Sequence, residues 1–121
     1  MNQVTVVSAG SGKAKAELTI EPEHTNAGGF AHGGYIATLV DSISTMALMT
    51  HDLDKPLPGV SVDLSVQYMS SIPLGKTIVI EAETVKKGRS LAFLVVNFVD
   101  KESHQLLARG SHVKFVATPN L

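Results

Sequence analysis

The sequence predicts an α+β fold in which one long helix is flanked by antiparallel strands, and three observations predict it. From near His32 or Gly33 to residues 50–52, the apolar residues Ile36, Leu39, Val40, Ile43, Met46 and Ala47 recur at three- and four-residue spacing, the period of a helix. The segments on either side alternate apolar and polar residues, the period of a strand. The later segments are separated by short Gly-, Pro- and Lys-containing turns, which join neighbours antiparallel. A length of 121 residues fits a single domain, residues 1–121, and leaves no room for two cores.

In chain order, Val4, Val6 and Ser8 alternate with Thr5 and Val7, and Ala9-Gly10-Ser11-Gly12 closes this strand with a turn. Residues 13–20 alternate again, with Ala14, Ala16 and Leu18 on one side, so the two segments read as a hairpin. Pro22 cannot donate to a ladder and ends the second strand. The helix follows, then a loop over residues 51–58 containing Pro56 and Pro58. Four strands come next, over roughly residues 59–69, 77–86, 90–100 and 106–117, and their short connections predict a meander. Leu91-Ala92-Phe93-Leu94-Val95-Val96 is apolar on both faces, as in a strand covered on both sides. One helix covers one face, so the other face is expected to meet another subunit.

Composition excludes several functions. Lys+Arg 10 against Asp+Glu 11, with 4 Phe, 2 Tyr and no Trp, gives neither the basic field nor the stacking platform of a nucleic-acid binder. With no cysteine there is no disulfide, zinc-thiolate site or cysteine nucleophile. His24, His32, His51, His104 and His112 contain no His-x3-His spacing, so no metal site is expected. Residues 1–10 resemble neither a signal peptide nor a transit peptide, and no apolar run approaches the ~20 residues needed to span a bilayer. The expectation is a soluble intracellular protein whose low charge, 17%, hides surface in an oligomer.

The chemistry concentrates between residues 24 and 50. Up to Thr50 the helix carries only one charged residue, Asp41, whereas surface helices normally display a charged face. It is therefore expected to be buried nearly all round, with Thr38, Asp41, Ser42 and Thr45 forming a small polar face suited to a partner helix or a ligand. The first turn has free N–H groups and a partial positive charge, and Gly33 and Gly34 leave it open to close approach. A carbonyl oxygen held by the Gly33 N–H would be polarised towards an oxyanion. The alternative is that these glycines only allow the loop to pack tightly on the sheet. Asp41 is either a nucleophile or general base, or a structural acid bonded to Thr38, Thr45 or backbone. It lies eight residues beyond Gly33, about 12 Å along the axis, so one acyl carbon cannot touch both within a chain. Joint action requires two chains with helices antiparallel across a two-fold axis.

The segments His24-Thr-Asn-Ala, His32-Gly-Gly, Leu39-Val-Asp-Ser-Ile-Ser-Thr-Met-Ala-Leu and Pro58-Gly-Val-Ser-Val-Asp-Leu carry a family resemblance. It continues through Tyr68-Met-Ser, Leu74-Gly, Gly88-Arg-Ser-Leu-Ala-Phe and Ala108-Arg-Gly-Ser-His, covering residues 3–117. The chain resembles the hotdog-fold acyl-CoA thioesterases of the PaaI-like branch. That resemblance implies an antiparallel sheet wrapped around one long central helix, and hydrolysis of medium- to long-chain fatty acyl-CoA to acid and CoA. It implies Asp41 as general base or nucleophile, Ser61 holding the attacking water, Gly33 polarising the carbonyl, Asn26 beside it and His32 supporting that pocket. Asp41 and Ser61 would face Gly33 and Asn26 across a subunit boundary in a homodimer, within a homotetramer built as a dimer of dimers. It further implies Lys86, Lys87, Gly88, Arg89 and Ser90 as a CoA-binding turn, with His112 and Lys114 as lesser candidates. No cofactor is implied beyond the CoA of the substrate, and the implied location is cytoplasmic with mitochondrial association. Simple alternation of Val60, Val62, Leu64 and Val66 conflicts with one of these roles, because it sets Ser61 on the polar face. Two other functions fit the same pocket: a non-catalytic acyl-CoA or lipid-binding module, and a hotdog hydratase or dehydratase.

Overall fold

The computed structural model describes residues 4–117. The chain forms strands β1 (Thr5–Gly10) and β2 (Lys13–Thr19), a short 3-10 turn (Pro22–His24), helix α1 (Gly33–His51), and strands β3 (Val60–Tyr68), β4 (Thr77–Lys87), β5 (Leu91–Asp100) and β6 (Leu106–Phe115). These boundaries lie within one to three residues of the sequence expectation. The β1–β2 turn places Ser11 at φ 54° and Gly12 at φ 81°, the positive values that tight hairpin turns require. The Gly12 N–H donates to Thr50 Oγ1 at 3.0 Å, which fastens this turn to the last turn of the helix.

All six strands form one antiparallel sheet in the order β1-β2-β4-β5-β6-β3, wrapped around α1 as the resemblance implied. The expected four-strand meander is corrected at one place. Strands β4, β5 and β6 are consecutive neighbours, but β3 pairs with β6, from Val60↔Phe115 to Tyr68↔Ala108. The reason lies in residues 69–76, which are too many for a hairpin turn and are bonded elsewhere. The Ala31 N–H donates to Ile72 O at 2.7 Å, the Leu74 N–H to Gly29 O at 3.0 Å, and the Gly75 N–H to Ile20 O at 2.8 Å. The connection thus crosses the end of the sheet, along the loop that precedes the helix, and delivers β4 beside β2.

The core lies between α1 and the facing side of the sheet. Ile36, Leu39, Val40, Ile43, Ala47 and Leu48 are buried against the inward residues of β2, β4 and β5, such as Leu18, Ile80 and Phe98. At Gly110 of β6 the helix comes closest, because an added Cβ would lie 2.5 Å from Val40 Cγ2. Within the single chain Thr38 and Asp41 are exposed and Ser42 and Thr45 half-buried, so its own sheet buries the helix on one side only. Met46 is half-buried and packs against the core, and Ser44 joins the core at 0% exposure. The outer face of β5, with Leu91 and Phe93, is exposed in the single chain, since α1 covers the other side. Among the described residues no helix is long and apolar enough to cross a membrane.

Candidate active site

Two groups of site residues form, one at the middle of α1 and one at its N-terminus. The first depends on an irregularity in β3. Its register with β6 runs Val60↔Phe115, Ser61↔Lys114 and then Asp63↔Val113, so Val62 is an extra residue. A bulge of this kind reverses the alternation of side chains along a strand. Ser61 consequently shares a row with Lys114 and Ala92 on the helix side, while Leu64 and Val66 still pack inwards. The polar-face placement that simple alternation suggests is thereby corrected.

Two buried polar side chains from β6 reach the helix around Asp41, and one of them also holds Ser61. His112 is 1% exposed; its Nε2 is 2.7 Å from Ser61 Oγ and its Nδ1 is 2.8 Å from Ser44 Oγ. Ser44 Oγ also donates to the Asp41 carbonyl oxygen at 3.2 Å. Two residues on, the ammonium of Lys114 donates to Thr45 Oγ1 at 2.7 Å, and Thr45 Oγ1 donates to Asp41 Oδ1 at 3.4 Å. Burial holds the His112 imidazole below its ordinary value, helped by the Lys114 charge and opposed by Asp41 and Asp63, so it is neutral at neutral pH. Burial also lowers the Lys114 ammonium, with Asp41 opposing. Asp41 itself is exposed, and among the described residues its carboxylate has one hydroxyl partner, Thr45, because Thr38 donates to Gly34 O instead. The carboxylate is open to whatever lies against this side of the helix.

The second group is the loop into the helix. Asn26 N–H donates to Phe30 O at 2.9 Å, and Asn26 Oδ1 accepts from the Gly28 N–H at 2.9 Å and the Phe30 N–H at 3.3 Å. Both partners are donors, so the atom they meet is the amide oxygen and the Asn26 nitrogen keeps its donors for another group. The loop is braced by His24, which is buried rather than the surface residue its loop position suggests. His24 stacks on Tyr35 with ring centroids 4.8 Å apart, and its Nδ1 accepts from the Glu21 N–H at 2.9 Å. His32 is the exposed N-cap residue, and the amides of Gly33 and Gly34 open the helix, where no intrahelical partner exists. A Cβ on Gly33 would sit 3.4 Å from Tyr68 Oη, and one on Gly34 3.8 Å from His32 Nδ1, both ordinary contacts. Packing within the chain therefore does not demand these glycines.

The structure does not bring the two groups together within one chain. Gly33 adjoins Tyr68 at the end of β3, whereas Ser61 stands near its start, roughly 20 Å away at ~3.3 Å per residue. The basic turn lies at the Ser61 end. Lys87, Ala92, Lys114 and Ser61 form one cross-strand row, which sets Lys87 about 14 Å from Ser61 at ~4.8 Å per strand. Lys87 is half-buried, and Lys86, Gly88, Arg89 and Ser90 are exposed. Gly88 N–H donates to Leu91 O, and Ser90 O accepts from the Val116 N–H, both at 2.8 Å. Ser44, and the central place of His112 and Lys114, were not found from the sequence. One feature pointed to Ser44: a hydroxyl four residues after Val40 and three before Ala47, inside the core stripe, needs a polar partner.

Comparison with known proteins places this geometry. Residues 28–107 match the family model described as Thioesterase superfamily. Acyl-coenzyme A thioesterase 13 of Homo sapiens is 48% identical over 114 residues, 94% of this chain and 80% of that protein. The crystal structure of zebra fish thioesterase superfamily member 2 superposes with a TM-score of 0.91 at 45% identity, over 95% of this chain and 82% of that one. The structure of smu.793 from Streptococcus mutans UA159, bound to acetyl CoA, superposes with a TM-score of 0.86 at 26% identity, over 99% and 94% of the two chains. With its six-stranded sheet around one long helix, the chain belongs to the thioesterase superfamily and has the hotdog fold.

Proposed function

We propose that this protein hydrolyses acyl-CoA thioesters, with medium- to long-chain fatty acyl groups as substrates, in a site shared by two chains of a homodimer within a homotetramer. The relative named acyl-coenzyme A thioesterase 13 supports the reaction, and the acetyl CoA bound to the S. mutans protein supports the ligand class. The observation that carries the reading is the mutual placement of Asp41 and Ser61: His112 bonds Ser61 and, through Ser44, the Asp41 backbone carbonyl, while Lys114 reaches the Asp41 carboxylate through Thr45 and leaves it open. A water between them gives a proton to the Asp41 carboxylate as its oxygen attacks the thioester carbon. The developing oxyanion accepts from the Gly33 N–H and the Asn26 amide of the partner subunit, whose helix runs antiparallel. Collapse of this intermediate breaks the C–S bond and the CoA thiolate leaves. Asp41 gives up its proton to the thiolate or to solvent, while His32 of the partner subunit supports the carbonyl pocket. Lys86, Lys87, Arg89 and Ser90 meet the phosphates of the nucleotide, with Gly88 turning the chain there.

Thiol release from a panel of acyl-CoAs of increasing chain length tests this reading. Asp41→Asn keeps an acceptor for Thr45 and removes the base, so kcat should fall by about 10²–10⁴ with the assembly intact. Acyl-CoA binding with no thiol release from the parent protein would contradict hydrolysis.

A further inference from the structure

We propose that Ser44 and His112 hold the Ser61 hydroxyl as a hydrogen-bond acceptor towards the attacking water, which makes His112 a positioning residue. This rests on the hydrolytic reading above and on a count of protons along the chain Ser61–His112–Ser44–Asp41. Ser44 Oγ lies 3.2 Å from the Asp41 carbonyl oxygen and 2.8 Å from His112 Nδ1. A carbonyl can only accept, so the one hydroxyl hydrogen of Ser44 goes to it, and Ser44 Oγ accepts from His112 Nδ1–H. The neutral ring then has a lone pair on Nε2, and the Ser61 hydroxyl, 2.7 Å away, donates to it. This arrangement makes all three hydrogen bonds. The opposite tautomer has Ser44 donating to Nδ1 and Nε2–H donating to Ser61, which makes two and leaves the Ser61 hydrogen uncommitted. At about 1 kcal/mol for each bond, with the Ser44–His112 bond buried and the other two part-buried, the three-bond arrangement is favoured.

The consequence falls on the water. With its hydrogen committed to His112, Ser61 Oγ presents only lone pairs outwards. A water set between Ser61 and the Asp41 carboxylate then points both hydrogens at acceptors and turns its own lone pair to the thioester carbon. In the opposite tautomer Ser61 can donate to that lone pair and compete with attack. The charged and titratable groups around His112 are Asp41 on α1, Asp63 on β3 and Lys114 on β6, and β5 presents Leu94. His112 touches no reacting atom in this scheme; it acts through Ser61.

The test has one arm that does not depend on turnover. In the ¹⁵N spectrum of the intact, histidine-labelled protein at neutral pH, the His112 proton is expected on Nδ1; a proton on Nε2 overturns the proposal. Ser44→Ala should move that proton to Nε2 and lower kcat by about tenfold, the worth of one hydrogen bond, with KM near the parent value. Ser44→Thr, which keeps the hydroxyl, should restore both the Nδ1 proton and kcat. Parental turnover in Ser44→Ala with the tautomer reversed would overturn the role. So would an acyl group trapped on Ser61 by mass spectrometry of quenched reactions, which would make His112 the base of a serine nucleophile. A parent protein that releases no CoA overturns the hydrolytic reading, and the role with it, whichever nitrogen carries the proton.

Discussion

Gly33→Pro isolates the proposed carbonyl trap from the helix that bears it. Gly33 is the first helical residue after the His32 cap, the position where proline is best tolerated because its missing N–H has no intrahelical partner. His32 sits at φ −67° and ψ 128°, within the extended region that proline imposes on its predecessor. A Cβ at Gly33 meets Tyr68 Oη at 3.4 Å, which is ordinary contact. Stability should therefore change by no more than about 1 kcal/mol, since the loss of unfolded-state freedom offsets small strain. The N–H, however, is gone. Loss of one oxyanion donor raises the barrier by about 2.7–4 kcal/mol, so kcat should fall by about 10²–10³. The assay is CoA release at saturating acyl-CoA, with circular dichroism and sedimentation confirming fold and assembly. Gly33→Ala is the control, because it adds a methyl and keeps the donor. A folded Gly33→Pro protein with kcat within a few-fold of the parent would refute the donor role. Equal losses in the alanine and proline variants would assign the effect to bulk instead.

Other outcomes follow from the same geometry. Gly110→Ala forces a methyl to within 2.5 Å of Val40 Cγ2, so the urea midpoint should drop by the equivalent of about 1–3 kcal/mol at unchanged slope; an unmoved midpoint would mean that the helix is not seated on β6. Burial holds His112 below its unfolded value of 6.5, so as pH falls below that value the unfolded chain takes up the proton first. The stability due to a neutral His112 is complete above about pH 6.5 and declines as pH drops towards the folded value, and urea titrations of His112→Gln should lack that decline. Lys87→Glu with Arg89→Glu should raise KM for acyl-CoA by about tenfold, and most at low salt. The same pair should leave hydrolysis of a thioester without the nucleotide unchanged, and an equal loss on that substrate would remove the turn from CoA recognition.

The helix and the strand segments were legible because each rests on a local period. The 3.6-residue stripe of α1 and the glycines before it fix its boundaries, and Gly-containing turns fix the β1–β2 and β4–β5 hairpins. The partner of β3 was not legible, because pairing across residues 69–105 depends on where the connection around Pro73 is tied down. The bulge at Val62 was hidden by the unbroken alternation of Val60, Val62, Leu64 and Val66. The orientation of β6 was hidden for a related reason. Val113 and Phe115 are its most apolar residues towards the end, yet they face outwards while His112 and Lys114 face the helix. Only the hydroxyls of Ser44, Thr45 and Ser61 make that choice favourable, and they arrive from two other elements. Asp41 and Gly33 stood out early because each is unusual for a helix. Their separation in one chain followed from the helical rise alone.

Mixing Asp41→Asn and Gly33→Pro proteins, after dissociation and reassembly, tests the shared site most directly. Each variant alone should be nearly inactive. If a site takes Asp41 from one chain and Gly33 from the other, each mixed dimer contains one site with both residues intact, and the equimolar mixture should recover about a quarter of parental activity. If one chain supplied both residues, every site in the mixture would carry a defect, and reassembly would recover nothing.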